Sequence, residues 1–202
     1  DYAVIGHVGD SRAYLYRGGQ VHQLTEDHKF ALEMIKKGIL TAEDAAKSPQ
    51  AQALTRAVGL GLTTQVDTIQ VELMSGDMFL LCSDGLYGYF DKADMRTQFQ
   101  IDVQKLPEHL VKLAKERGGR DNITGVTVKV DEANEAKSDV VDVFRKAEIM
   151  GKIPIFKYMS YPELMRILSI AEIKSFKKTD TIVQEGDSSD QMFIIVHGSA
   201  DI

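Results

Sequence analysis

Apolar positions along the chain recur in distinct rhythms, and each rhythm predicts a different element. Ala3 to Val8, Ala13 to Tyr16 and Val21 to Leu24 are short apolar or β-branched runs, separated by Gly9-Asp10 and Gly18-Gly19. Such runs between turn residues predict strands, here an antiparallel meander. From His28 the period changes, with Phe30, Ala31, Met34 and Ile35 at helical spacing and Gly38 placed as a stop. Thr41, with Glu43 and Asp44 behind it, opens a second short helix that Ser48-Pro49 closes. The pair forms a helical insertion between strands.

Alternation then returns. Val66, Thr68, Gln70 and Glu72 interleave with Asp67, Ile69, Val71 and Leu73, and Met78 to Cys82 is a continuous apolar run, the mark of a central buried strand. Leu106, Leu110, Leu113 and Ala114 share one face of a helix that Gly118-Gly119 ends. Ile123 to Val130 is the next strand, and Val126, Val128 and Val130 alternating with Thr127 and Lys129 predict one buried face.

The segment from Asp131 to Glu148 carries six acids against three bases and reads as an acidic linker over residues 132–148, partly helical near Val140 to Phe144. Beyond it, Ser160 and Glu163 form a capping box around Pro162, and Leu164, Ile167 and Leu168 supply a helical apolar face. Thr181-Ile182-Val183, Glu185-Gly186-Asp187, Met192 to Val196 and His197-Gly198 then read as strand, turn, strand, turn.

Composition narrows the function classes. At 44% hydrophobic and 27% charged residues, the chain has ordinary globular usage and can bury a core. Its 202 residues amount to about 1.3 domains at roughly 150 residues each. The chain opens directly in a strand and closes on an unfinished one, so the expectation is two incomplete domains joined by the linker. With 24 basic against 30 acidic residues and a net charge of −6, a nucleic-acid partner is not expected. The single cysteine, Cys82, rules out an internal disulfide framework and suits a reducing, cytoplasmic setting. No apolar run reaches the roughly 20 residues needed to span a bilayer, so no membrane partner is expected.

Candidate chemistry gathers at three aspartates bordering predicted buried strands: Asp10 in Gly9-Asp10-Ser11-Arg12, Asp84 in Ser83-Asp84-Gly85, and Asp121 in Asp121-Asn122-Ile123-Thr124. A carboxylate just off a strand end is held by rigid backbone yet open to solvent, which suits a metal ligand; the same dipeptides also serve as plain turns. All-aspartate ligation favours Mg²⁺ or Mn²⁺. The five histidines, His7, His22, His28, His109 and His197, show no paired spacing for zinc. Arg12 and Arg56 read as strand-bracing ion pairs or as phosphate contacts, and His28 as structural.

These residues carry a resemblance. His7-Val8-Gly9-Asp10-Ser11-Arg12-Ala13-Tyr14, Leu24-Thr25-Glu26-Asp27-His28, Leu54-Thr55-Arg56-Ala57-Val58-Gly59, Leu80-Leu81-Cys82-Ser83-Asp84-Gly85-Leu86 and Gly119-Arg120-Asp121-Asn122-Ile123-Thr124 stand in the order of matching motifs in type 2C metal-dependent serine/threonine protein phosphatases. Residues 1–131 thus resemble the C-terminal half or more of that family, which implies an α+β fold, a partial four-layer α-β-β-α sandwich. It further implies hydrolysis of phosphoprotein substrates by water at a binuclear Mn²⁺ or Mg²⁺ centre, with no residue acting as covalent nucleophile. Asp84 and Asp121 match metal ligands, and Asp10 an aspartate that, with Asp84, supports an additional weaker metal in some members. Residues 29–54 match a flap beside the cleft, where Phe30, Met34 and Ile35 are candidates for either substrate recognition or packing. Lys29 stands where many relatives carry a small polar residue. The family's upstream arginine, aspartate and aspartate-glycine pair lie before Asp1 in the matching order, so weak or no activity is expected of these 202 residues.

Residues 149–202 resemble the start of a cyclic-nucleotide-binding domain, on Phe176, Thr181-Ile182-Val183, Glu185-Gly186-Asp187, Met192-Phe193-Ile194-Ile195 and Gly198. This implies a partial β-roll, with a cyclic nucleotide as candidate ligand of the full-length protein. The expected function is therefore a regulated metal-dependent protein phosphatase; the alternative is a noncatalytic signalling scaffold or cyclic-nucleotide sensor with a degenerate phosphatase domain.

Overall fold

A computed structural model describes residues 1–133, 146–147, 149–156, 159–186, 188 and 191–201. Two antiparallel sheets organise the first part of the chain. Sheet A pairs β1 (Tyr2–His7) with β4 (Asp67–Glu72), from Tyr2 opposite Glu72 to His7 opposite Asp67. Sheet B has the order β3-β2-β5-β6, built from β2 (Arg12–Arg17), β3 (Gln20–Gln23), β5 (Met78–Cys82) and β6 (Gly125–Lys129). The apolar run Met78 to Cys82 is central in this sheet, with Leu80 fully buried.

The first three strands do not form the expected meander. Only β2 and β3 make a hairpin, while β1 lies in the other sheet. The physical reason is the Gly9-Asp10 turn, which carries the chain from one sheet to the other. Gly9 has φ 100°, a conformation disfavoured for residues with a Cβ. His28 holds the turn in place: Gly9 N–H donates to His28 Nδ1 at 3.0 Å, and His28 N–H donates to the Gly9 carbonyl at 2.8 Å.

Two apolar clusters lie on opposite faces of sheet B. Ala13, Leu15, Leu24 and Phe79 meet Val71, Ile69, Ala3 and Ile5 of sheet A on one face. On the other, Tyr14, Leu80 and Cys82 pack against helices α3 (Asp84–Tyr87), α4 (Lys92–Gln98) and α5 (Leu106–Glu116), through Leu86, Met95, Phe99, Leu106 and Leu110. Burying each such side chain contributes about 1.5–3 kcal/mol. The described residues thus show sheet, sheet and helices in succession. Val126 and Val128 depart from expectation: both are exposed, because two-stranded sheet A does not extend over β6 among the described residues.

The helical insertion comprises α1 (Phe30–Lys36) and α2 (Ala42–Lys47), where Thr41 caps the Asp44 N–H at 3.1 Å. Helices α3 and α4 were not foreseen. The first is a single turn beginning on an aspartate-glycine pair, which reads as a turn; the second is capped by Asp91 and presents Met95 and Phe99 to the core. Tyr16 stacks on Phe99 with centroids 5.0 Å apart.

Of the acidic linker, residues 134–145 and 148 lie outside the described residues, and with them its expected helical portion. Helix α6 (Tyr161–Ile170) begins at the foreseen capping box, with Glu163 Oε2 accepting from Ser160 N–H at 2.6 Å. It packs Leu164 with Met150 and Phe156. The expected strands at 181–183 and 192–196 are not formed: no strand is assigned among the described residues from 171 onward. Strands require a ladder, and two runs alone make at best a marginal hairpin. Side-chain contacts nonetheless join the two runs' neighbourhoods, Phe176 meeting Phe193 edge-on at 6.1 Å and Lys174 Nζ donating to Gln191 Oε1 at 2.9 Å.

A buried ion pair ties the ends of β2, β4 and β5 together. Arg17 Nε donates to Asp77 Oδ1 at 2.6 Å and its Nη2 to the Glu72 carbonyl at 2.6 Å, while Asp77, 1% exposed, also accepts from Met74 N–H at 2.8 Å. Removing one partner of such a pair leaves a buried unpaired charge. Asp77→Ala should therefore destabilise the fold by about 3–5 kcal/mol in urea denaturation, and Arg17→Met with Asp77→Leu should recover most of the loss.

Candidate active site

The ends of β5 and β6 lie side by side, Cys82 opposite Gly125, so the segments that flank them are neighbours. Ser83 follows β5 and stitches the two together. Its N–H donates to the Thr124 carbonyl at 3.1 Å, its Oγ donates to the Asn122 carbonyl at 3.1 Å, and the Thr124 N–H donates back to that Oγ at 3.0 Å. Asp84 and Asp121 are the residues immediately beside this junction.

Gly85 is required for the approach. A Cβ there would sit 2.3 Å from the Asn122 carbonyl oxygen, far inside van der Waals contact, and press at 3.2 Å on Asp121 Cβ. The two aspartates therefore face a common cleft of about 470 Å³, whose wall also includes Tyr89, Arg117 and Arg120. Both are exposed. Each satisfies Oδ1 locally, Asp84 from the Gly85 N–H at 2.8 Å and Asp121 from the Asn122 N–H at 2.7 Å. Neither is ion-paired among the described residues.

The arginines of the cleft differ. Arg117 is committed to structure, donating to Asp94 and, at 2.7 Å, to the Tyr89 carbonyl, with its guanidinium 4.7 Å over the Phe90 ring. Arg120 is exposed and has no ion-pair partner among the described residues. It is placed to meet an anion. The sequence points to Arg12 and Arg56 rather than Arg120 as phosphate contacts; the adjacency of Arg120 to Asp121 is the signal that marks it.

Asp10 is not part of this cleft. Its carboxylate is ion-paired to Lys29 Nζ at 3.1 Å, and its carbonyl accepts from the Tyr87 hydroxyl at 2.9 Å. Arg12 and Arg56 prove to be braces. Arg12 grips Asp27 with two 2.8 Å hydrogen bonds and lies 3.7 Å over the Tyr87 ring, and Arg56 Nη1 donates to Asp67 Oδ1 at 2.6 Å. Cys82 is buried behind the site, and burial pushes its thiol up to about 12, so it stays protonated and unreactive.

His28 has the structural role expected of it. Its Nδ1 accepts from Gly9, so Nε2 carries the proton and donates to Asp67 Oδ2 at 3.0 Å. Asp67 is thereby held at about 2, below the ordinary 3.8, first by the Arg56 hydrogen bonds and then by His28.

Among the described residues no group of three His, Cys, Asp or Glu side chains forms a ready metal cage, and the cleft offers two carboxylates. Two hard oxygen donors with solvent access fit Mg²⁺ or Mn²⁺, which bind through few carboxylates and retain several waters. They do not fit zinc, which favours nitrogen and sulfur ligands.

The family model "Protein phosphatase 2C" matches residues 2–36. The first part of the chain is similar to bacterial serine/threonine phosphatases. Protein phosphatase PhpP of Streptococcus pneumoniae is 40% identical over 132 residues, covering 64% of this chain and 54% of PhpP. The structure of the Streptococcus agalactiae serine/threonine phosphatase is 36% identical with a TM-score of 0.59, covering 64% of this chain and 55% of that one. The catalytic domain of the serine/threonine protein phosphatase PstP, solved in complex with two manganese ions, is 30% identical with a TM-score of 0.51, covering 63% and 53%. The chain spans about half the length of these relatives. No helix among the described residues is long and apolar enough to cross a membrane.

Two predictions follow from the geometry. Gly85→Ala should drive the Asn122 loop away and lower stability by about 1–3 kcal/mol, read by chemical denaturation. The Asp67 pairing contributes stability that is fully present above its unfolded value near 3.8 and is lost as pH falls toward about 2. Asp67→Asn should flatten the acid limb of the stability curve in that window, measured by denaturant titration at stepped pH.

Proposed function

We propose that the protein containing this chain is a metal-dependent phosphoserine/phosphothreonine protein phosphatase, with Asp84 and Asp121 as ligands of a Mn²⁺ or Mg²⁺ centre. The observation that carries this reading is the Ser83–Gly85 junction, which brings two unpaired carboxylates to one cleft at the ends of adjacent strands. Its relatives bear phosphatase names, and PstP holds two manganese ions.

When bound, such metals lower the pKa of a coordinated water and offset negative charge at phosphorus. The chain's own part is positional. Asp84 and Asp121 keep their outer oxygens free by bonding Oδ1 to the next backbone N–H, and β5 and β6 hold them on rigid supports. Arg120 supplies positive charge on the cleft wall toward a phosphate group. A phosphoprotein is the substrate and the cytoplasm the setting.

Residues 1–131 form the phosphatase-like part of a partial four-layer sandwich, residues 132–148 an acidic linker, and residues 149–202 the opening of a cyclic-nucleotide-binding-like roll that regulates it. The last reading rests on the order of apolar and turn residues in the sequence around Thr181-Ile182-Val183 and Met192 to Val196. Helix α6 touches the first part directly: Lys36 Nζ lies 3.1 Å from Glu163 Oε1, and the rings of His22 and Tyr161 are 5.0 Å apart.

Asp84→Asn and Asp121→Asn, made in the complete gene product and assayed with Mn²⁺ on a phosphothreonine peptide, should each lose activity on the order of 100-fold. Unchanged rates in both would sink the ligand assignment. A complete protein inactive beside a working control would instead favour the noncatalytic scaffold.

A further inference from the structure

Lys29 and Asp10 meet in a closed group of four charges beside α3, the helix that begins at Asp84. Arg12 holds Asp27 through both carboxylate oxygens, and Lys29 Nζ lies 3.1 Å from Asp10 Oδ2 and 3.9 Å from Asp27 Oδ2. Two positive and two negative charges therefore balance locally. The Lys29 and Asp10 side chains are only 15% and 22% exposed.

Backbone contacts fix both partners. Phe30 N–H donates to the Ala53 carbonyl at 2.9 Å and Thr55 N–H to the His28 carbonyl at 2.8 Å, which clamps the chain on either side of Lys29. Asp10 follows the turn that His28 clamps, and its carbonyl is held by the Tyr87 hydroxyl. The pair is thus set by the fold rather than by two flexible surface side chains. A divalent ion at Asp10 would have to share its carboxylate with an ammonium 3.1 Å away and leave that corner with surplus positive charge.

We propose that Lys29 is a built-in cation that neutralises Asp10 and withholds it from ligating a divalent metal. Metal binding is thereby confined to the Asp84–Asp121 cleft. This disagrees with the family resemblance, under which Asp10 joins Asp84 at an additional weaker metal. The inference rests on the reading of that cleft as a metal centre.

The test is a Mn²⁺ titration of the complete gene product followed by calorimetry and by the electron paramagnetic resonance signal of free Mn²⁺. Asp10→Asn should leave the wild-type isotherm unchanged within about twofold. Lys29→Met should add one weaker Mn²⁺ equivalent, which Lys29→Met with Asp10→Asn loses again, and Lys29→Arg should bind as the wild type does. The proposal is overturned if Asp10→Asn weakens wild-type Mn²⁺ binding tenfold or more, or if folded Lys29→Met gains no equivalent. Should Lys29→Met fail to fold, the Asp10→Asn comparison decides alone. Asp84→Asn and Asp121→Asn report separately on the cleft: unchanged binding there overturns the metal-centre reading, whereas only the Asp10 and Lys29 variants decide the role of Lys29.

Discussion

The pairing of β5 with β6 is the constraint on which the candidate site depends. Leu80 of β5 is fully buried, and Phe79 and Cys82 nearly so, on opposite faces of the same strand. Apolar burial therefore fixes the strand from both sides, and its end is fixed with it. The register that sets Cys82 against Gly125 delivers Ser83 to Thr124 and leaves Gly85 pressed on Asn122. A second glycine lets α3 close on β6, since a Cβ on Gly125 would lie 2.9 Å from Leu86 Cδ1. Two exposed carboxylates are thus placed by a hydrophobic core that neither of them enters.

The carboxylates of this molecule separate into two kinds by their partners. Asp77, Asp27, Asp10 and Asp67 each face a lysine or arginine, and these pairs hold the ends of strands and the turn between the sheets. Asp84 and Asp121 take only a neighbouring backbone N–H on one oxygen. A carboxylate already matched by a fixed cation gains little from a metal and must lose its partner to bind one. One that is held in place but unmatched retains its full attraction for a hard cation. That contrast distinguishes the two candidate ligands from the four structural acids more sharply than their exposure does.

Much of the strand and helix order was legible because burial imposes a period. Met78 to Cys82 could be read as a central strand from its unbroken apolar run, and Leu106, Leu110 and Ala114 as one helical face, since both patterns record which side chains face a core. Which strand pairs with which is not recorded in that way. β1 and β2 have the same apolar character and a turn between them, yet they lie in different sheets because the Gly9-Asp10 segment is clamped by His28 from farther along the chain. Short elements are also poorly recorded: α3 is one turn long, too short to show a helical period, and begins on residues that equally suit a turn.

The same limit explains the uneven reading of the three aspartates. Each follows one rule, a carboxylate beside the end or start of a strand, and local sequence cannot rank them further. Their electrostatic surroundings come from residues remote in the chain. Asp84 and Asp121 become neighbours through a strand pairing that spans α3, α4 and α5, whereas Asp10 acquires Lys29 because the segment before α1 folds back onto the turn. A motif position therefore states where a carboxylate stands, and the fold decides which cation answers it. At Asp10 the answer is the ammonium of Lys29, five bonds out from a backbone already clamped in place; in the cleft it is left to an ion from solution.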